Sequence, residues 1–479
     1  MKPVTYPTIP RSLALPVIAT QRSSRMVQTM LALGLALIVA SLAVPRAALA
    51  QGSFTIVRDA ELEGLMRDYA RPILSAAEIP GGAGEIVLVN DTSFNAFVAD
   101  GQRIFINLGA ILQTETPNEL IGVIAHEAGH IHGGHLTRLR QEIQNAQVLS
   151  IASMLLGGAA AIGSARGGVG DPGMGGAGIA MGGSEVARRS LLAYQRSEEM
   201  AADQAAVRFL HATGQSPMGM INIFERFSNE ALFRSNLDPY QVSHPLPRER
   251  IAQLERLAAE SPYRNRTDPP ALQRRHDLAR AKISGFVERP DTVLRRYPPS
   301  DNSLASRYAR AIVAHRSGRM RDAVGLMDEL IGAQPNNAHF HELRGQILLE
   351  SARPQEAVAS LRRAVNLAPD AAPMRTLFGQ ALLAAGDPSS LEEAIEQLRR
   401  VTRIEPESPD AYRPLAMALG RTGQVGRAEL AIAQHYFYSG DIRNAQNQAH
   451  RAMNSLVEGT PEWLRAKDIF DYVPPRHMR

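Results

Sequence analysis

Proline, glycine and alanine recur at one fixed spacing in the last third of this 479-residue chain. Pro335 and Pro369, Gly345 and Gly379, and Ala323 and Ala357 are each separated by 34 residues. A period of this length describes a helix pair that cannot bury its apolar face alone. Such units gain a core only by stacking on their neighbours, so the segment from about residue 304 is constrained to an all-α superhelix.

A small residue at the eighth position, Ala at the twentieth and Pro at the thirty-second match the tetratricopeptide repeat. Pro406 follows Pro369 by 37 residues, and Pro388-Ser389-Ser390 is read as a turn insertion that absorbs the excess. A fourth unit runs through Ala416, Gly423 and Ala428, and Gly440, Ala445 and Ala452 suggest a further degenerate half. Trp463 is expected to close the last helix pair. Such an array binds peptides or partner proteins, or is a structural bundle.

The chemistry lies upstream, in His126-Glu127-Ala128-Gly129-His130. Residues four apart share one helical face, so this HExxH spacing aims two imidazoles at one point, as a tetrahedral Zn²⁺ requires. Glu127 can reach a water beside the metal without ligating it, which suits a general base. Thr116 as N-cap, Pro117 at the first helical position and Glu119 at the third predict the helix start. The run Leu120, Ile121, Val123, Ile124 suits a buried helix, and Gly133-Gly134 a stop.

A catalytic zinc needs a third protein ligand. Glu199 and Asp203 are four apart on a second predicted helix, about 70 residues downstream. Glu199 is expected to ligate the metal, and Asp203 to accept the N–H of a ligand histidine. Glu198 is the competing ligand and lacks an acidic partner at i+4. His244 precedes Pro245 and is therefore placed on a loop. His135 lies nine residues after His126, about 180° off the ligand face, and is read as structural.

This arrangement resembles the gluzincin metallopeptidases and, more narrowly, the BepA-like periplasmic zinc metalloproteases. The resemblance is carried by HEAGHIHGGH, by Glu199 to Asp203 as ExxxD, by His244-Pro245-Leu246-Pro247-Arg248-Glu249-Arg250-Ile251, and by the helical repeats that follow. It covers nearly the whole chain after residue 50. It implies an α+β zincin-like metallopeptidase domain, mostly helical with a small sheet, followed by an all-α tetratricopeptide-repeat superhelix. It further implies His126, His130 and Glu199 as ligands of one Zn²⁺ and Glu127 as base. His244 would be a fourth ligand or gate. Arg250 would line the site and stabilise an oxyanion. Outer-membrane β-barrel precursors are the implied substrates, and the barrel-assembly machinery the implied partner, through the repeats.

Before the HExxH helix, residues 54–80 read as helical, with Leu62, Leu65, Met66, Tyr69 and Ile73 on one face. Residues 85–89, 95–99 and 103–107 read as strands, with a hairpin signal at Asp100-Gly101. By resemblance, Asn95, Ala96, Phe97 and Val98 form an edge that binds an extended substrate by strand addition. Residues 148–184 are Gly-rich, which argues against a clean helix and suggests a mobile lid or a disordered insertion.

The formal charge of +4 misleads, because Lys2, Arg11, Arg22, Arg25 and Arg46 give residues 1–50 a charge of +5 with no acid. The remainder carries −1, so composition makes no case for nucleic-acid binding. Arg22 and Arg25, the apolar stretch from Met26 to Val44 and Ala48-Leu49-Ala50 read as a signal peptide cleaved before Gln51. The alternative is a retained membrane anchor. With no cysteine, the chain has neither disulfides nor thiolate ligands.

The expected organisation is a leader over 1–50, a peptidase domain over 51–285 with 148–184 as insertion, a linker over 286–303 and repeats over 304–479. The expected function is a periplasmic zinc endopeptidase degrading misfolded or stalled envelope and outer-membrane proteins, with peripheral membrane contact. The alternative is a chaperone or assembly adaptor whose peptidase site is kept latent by His244.

Overall fold

The computed structural model describes residues 55–80, 84–99, 101–145, 174–231, 239–245 and 248–474. The leader and the part of the Gly-rich stretch over 148–173 lie outside the described residues. Among those described, no helix is long and apolar enough to cross a membrane.

Four short strands form one sheet in the order β1-β2-β4-β3. β1 (Ile56–Val57) runs antiparallel to β2 (Ile86–Val89), which pairs in parallel with β4 (Arg103–Asn107). β3 (Ala96–Ala99) forms a hairpin with β4, Ala96 opposite Ile106 and Val98 opposite Ile104, and is the terminal strand. The helix expected over 54–80 is shorter. α1 spans Ala60–Ala76 because Asp59 caps it, its carboxylate accepting from the Glu61 and Leu62 N–H groups. The residues ahead of this cap are free to pair as β1.

After α2 (Leu108–Gln113), α3 (Pro117–Gly133) carries HExxH through the core. Thr116 caps it by accepting from Glu119 N–H. The Glu119 carboxylate reaches back to Glu115 N–H at 2.7 Å, one residue earlier than a reciprocal capping box requires. α4 (Met174–Ala212) carries Glu199 and Asp203, and α5 (Met218–Ala231), α6 (Pro239–Ser243) and α7 (Arg248–Ala259) complete the site region. The start of α4 corrects one expectation: residues 174–184 are helical despite their glycines.

Residues 286–303 are not a bare linker. α8 (Pro270–Val287) packs on the first repeat helix, and α9 (Pro290–Arg296) occupies part of the segment. The repeats then pair as Leu304–Arg316 with Met320–Ala333, Ala338–Glu350 with Pro354–Leu367, Ala372–Ala385 with Pro388–Ile404, and Tyr412–Arg421 with Val425–Tyr438. Ile442–Ser455 and Pro461–Phe470 form a fifth pair. The small eighth residue has a physical cause: a Cβ on Gly345 would stand 2.5 Å from Leu361, and one on Gly379 2.6 Å from Leu398. Pro388-Ser389-Ser390 is not a turn insertion. It is the first turn of a longer helix, with Asp387 as N-cap accepting from Ser390 N–H and Pro388 at the first position. Trp463 is only half-buried, and Ala466 and Ile469 make the last contact.

The seam between the peptidase part and the repeats is charged and buried. Lys282 Nζ on α8 lies 2.7 Å from Asp59 Oδ2 and 3.2 Å from Glu61 Oε2. Tyr308 on the first repeat helix donates to Glu61 Oε2 at 3.0 Å. Further along, Arg58 reaches Glu405 at 2.7 Å and Ser408 at 3.0 Å, tying the segment after β1 to the third repeat.

Candidate active site

The site forms where α3 and α4 cross. A Cβ on Gly129 would lie 2.8 Å from the Ala202 carbonyl oxygen, so glycine inside the motif permits the approach. That approach sets Glu199 and Asp203 against His126 and His130.

Four donors converge. His126 Nε2 is 3.1 Å from His130 Nε2, 3.4 Å from His244 Nδ1 and 3.3 Å from Glu199 Oε2. His130 Nε2 is 3.4 Å and His244 Nδ1 3.1 Å from Glu199 Oε1. Donors ~2.0–2.1 Å from a tetrahedral ion stand about 3.3 Å apart. Three imidazole nitrogens facing one another cannot all hydrogen-bond mutually, whereas lone pairs directed at one cation explain their convergence. The donor set therefore fits a divalent metal ion, which His126, His130, Glu199 and His244 can hold.

Asp203 Oδ1 lies 2.9 Å from His126 Nδ1, an ion-pair contact on the ring edge away from the cluster. Burial works against charge on His126, but the Asp203 and Glu199 carboxylates outweigh it and raise the imidazole to about 10. A bound cation would drive that proton off again. Burial and then His126 lower His130. Burial alone would raise Glu199, yet His126 and His244 hold it well below the carboxylate range.

Glu127 is fully buried and neither of its oxygens has a hydrogen-bond partner among the described residues. His244 Nε2 stands off at 3.6 Å from its Oε1. Burial raises its pKa. An orphaned carboxyl this costly to bury, set beside a metal-binding cluster, is poised to exchange a proton.

Two residues, Arg250 and His135, sit differently from their sequence readings. His244 lies outside a helix, as its proline neighbour implies, and its N–H donates to Tyr240 O at 2.8 Å, closing the turn that follows α6. Tyr240, stacked on the His244 ring, packs on Phe94 and Phe227 and holds that turn. Arg250 is buried, and each of its three nitrogens has a partner. Nε and Nη2 grip Asp203 at 2.8 and 2.9 Å, and Nη1 bonds Pro245 O and pairs with Glu199. All three nitrogens thus already serve protein acceptors, and the guanidinium holds both carboxylates in place. His135, read as structural, touches a ligand: its Nδ1 is 3.0 Å from His130 Nδ1. Glu198 turns away from the cluster to His135 and Arg138.

Of the edge residues, Ala96 is buried, Phe97 stacks on Phe105 at 5.3 Å, and β3 lies against α3. The Asn95 carbonyl accepts from Asn107 N–H, while its buried Oδ1 has no partner among the described residues.

Comparison with known families decides what kind of domain this is. Residues 57–258 match the model of peptidase family M48. They form an M48 metallopeptidase domain. Residues 308–372 match a tetratricopeptide repeat model. The chain is similar to the "Beta-barrel assembly-enhancing protease" of Yersinia pestis, at 24% identity over 79% of this chain and 76% of that protein. The protein of that name from Escherichia coli (strain K12) is 23% identical over 62% of this chain and 60% of its own length. The solved structure "MamA 41-end from Desulfovibrio magneticus RS-1" matches 34% of this chain and 92% of its own, at 20% identity and a TM-score of 0.31.

Proposed function

We propose that this protein is a zinc-dependent endopeptidase of the bacterial periplasm. It degrades misfolded or stalled envelope and outer-membrane proteins and assists their assembly. The observation that carries this reading is the orphaned Glu127 carboxyl beside four converging metal donors. Histidine nitrogens with one carboxylate favour zinc among divalent ions. When bound, zinc supplies Lewis-acid activation of water and of the scissile carbonyl. Glu127 takes the proton of the attacking water on its carboxylate and returns it to the leaving amine. Asp203, held by Arg250, orients His126. The edge of β3, over Asn95, Ala96, Phe97 and Val98, aligns the substrate strand beside α3. The relatives' printed name supports β-barrel precursors as substrates and the barrel-assembly machinery as partner of the repeats. The N-terminal sequence supports export, with cleavage near Ala50-Gln51. On this reading the exported protein meets the outer membrane only peripherally.

The closeness of His244 Nδ1 to His126 and Glu199 favours a second reading. As a fourth ligand His244 fills the position that water needs, leaving a closed site on an adaptor or chaperone that is latent as a protease. Zinc content and cleavage of an unfolded protein, compared between wild type and His244→Ala, separate the two. One zinc per chain with cleavage by wild type supports the open enzyme. Cleavage only by His244→Ala supports the latent form. No zinc in either overturns both.

A further inference from the structure

His135 sits where helical arithmetic says it should face away from the metal cluster. α3 ends at Gly133, and Gly134 takes a left-handed conformation, with φ 65°. This turn folds the chain back, and the His135 ring lies over Gly133, where a Cβ would be 2.1 Å from its Nε2. Two glycines thus clear a path for a buried histidine to return to the helix it has just left.

The hydrogen-bond directions follow from His130. Its Nε2 faces the other donors and must offer a lone pair to a metal, so its proton sits on Nδ1. That N–H points at His135 Nδ1, 3.0 Å away, which must accept. The His135 proton then sits on Nε2, 2.9 Å from Glu198 Oε2. Arg138 Nη2 donates to the same oxygen at 2.8 Å. The line ends in a carboxylate held by a surface arginine.

We propose that His135 is a positioning residue that fixes the tautomer and plane of the ligand His130, with Glu198 fixing His135 in turn. His126 has its carboxylate directly, in Asp203, while His130 reaches one through a second imidazole. This accounts for the adjacent pair Glu198-Glu199, one serving the metal and the other the relay. It rests on the reading of the cluster as a zinc site.

The test is the zinc dissociation constant of the purified full chain, by chelator competition, with the thermal midpoint of the metal-free protein beside it. His135→Ala is expected to weaken zinc binding ~10–100-fold while the metal-free midpoint stays put, with Glu198→Ala changing in the same direction. His135→Asn, which keeps an acceptor near the Nδ1 position, should restore affinity to within about threefold of wild type. Unchanged affinity in both alanine variants overturns the relay alone. Weakening that tracks an equal loss of metal-free stability, with no rescue by asparagine, also overturns it. Failure of wild type to bind zinc overturns the metal reading itself, and the relay with it.

Discussion

Arg250 grips Asp203 through two parallel bonds, Nε to Oδ2 at 2.8 Å and Nη2 to Oδ1 at 2.9 Å, with the guanidinium over the Phe224 ring. Both partners are buried, so the pair must be satisfied as a unit. Arg250→Met leaves Asp203 and Glu199 without their cation and is expected to cost about 3–5 kcal/mol of stability. Arg250→Lys keeps the charge but not the fork, so zinc affinity should still fall ~10–100-fold. Thermal denaturation and chelator competition read the two effects separately.

His276 gives a pH dependence remote from the cluster. Its Nδ1 faces Tyr69 OH at 3.1 Å and its Nε2 faces Thr114 O at 3.0 Å. Burial pushes it down to about 4, against the bond that its Nε2–H donates to the Thr114 carbonyl, which works the other way. The sign follows from proton uptake. Between ~6.5 and the lowered value the unfolded chain binds a proton that the native chain refuses, so stability falls as pH drops through that window. The full loss is about 3 kcal/mol. His276→Gln can keep one donor and one acceptor without titrating, so its thermal midpoint should fall less than that of wild type from pH 7 to 4. Parallel curves would contradict this.

Lys282 holds the seam between the M48 domain and the repeats. Lys282→Met strands the Asp59 and Glu61 carboxylates in a buried place and is expected to cost about 3–5 kcal/mol. Limited proteolysis should then cut the junction faster than in wild type. Unchanged cutting and an unchanged thermal midpoint would show that the seam is held by apolar packing alone.

Gly345 tests the repeat spacing. Gly345→Val drives a branched side chain into Leu361 and is expected to destabilise the array by about 1–3 kcal/mol. The same change at Gly325, which meets nothing within 4 Å, lacks the clash and should cost less. Equal effects in thermal denaturation would mean that the clash is not what matters.

Much of this architecture was legible because local signals repeat or pair. Thr116 and Pro117 mark the start of the HExxH helix and Gly134 its end, and a period of 34 residues exposes the superhelix. What escaped depends on geometry that angle counting does not follow. His135 was misplaced because the left-handed Gly134 interrupts the 100° per residue on which the prediction rested. The proline after His244 marks it as lying outside a helix, but nothing local shows that its N–H closes a turn on Tyr240. Asp387 was the available sign that Pro388 begins a helix rather than a turn. The Lys282 seam joins residues far apart in the chain, and no local pattern announces such a pair.

The most direct test of the central claim is cleavage of an unfolded protein by zinc-loaded protein, wild type or His244→Ala, with and without Glu127→Gln. Glutamine keeps the shape of Glu127 but cannot take a proton. The account predicts that Glu127→Gln binds zinc as tightly as its parent and loses cleavage by ~10²–10⁴-fold. Cleavage that survives Glu127→Gln undiminished, or zinc binding that is lost with it, would contradict the assignment of this carboxylate as the base.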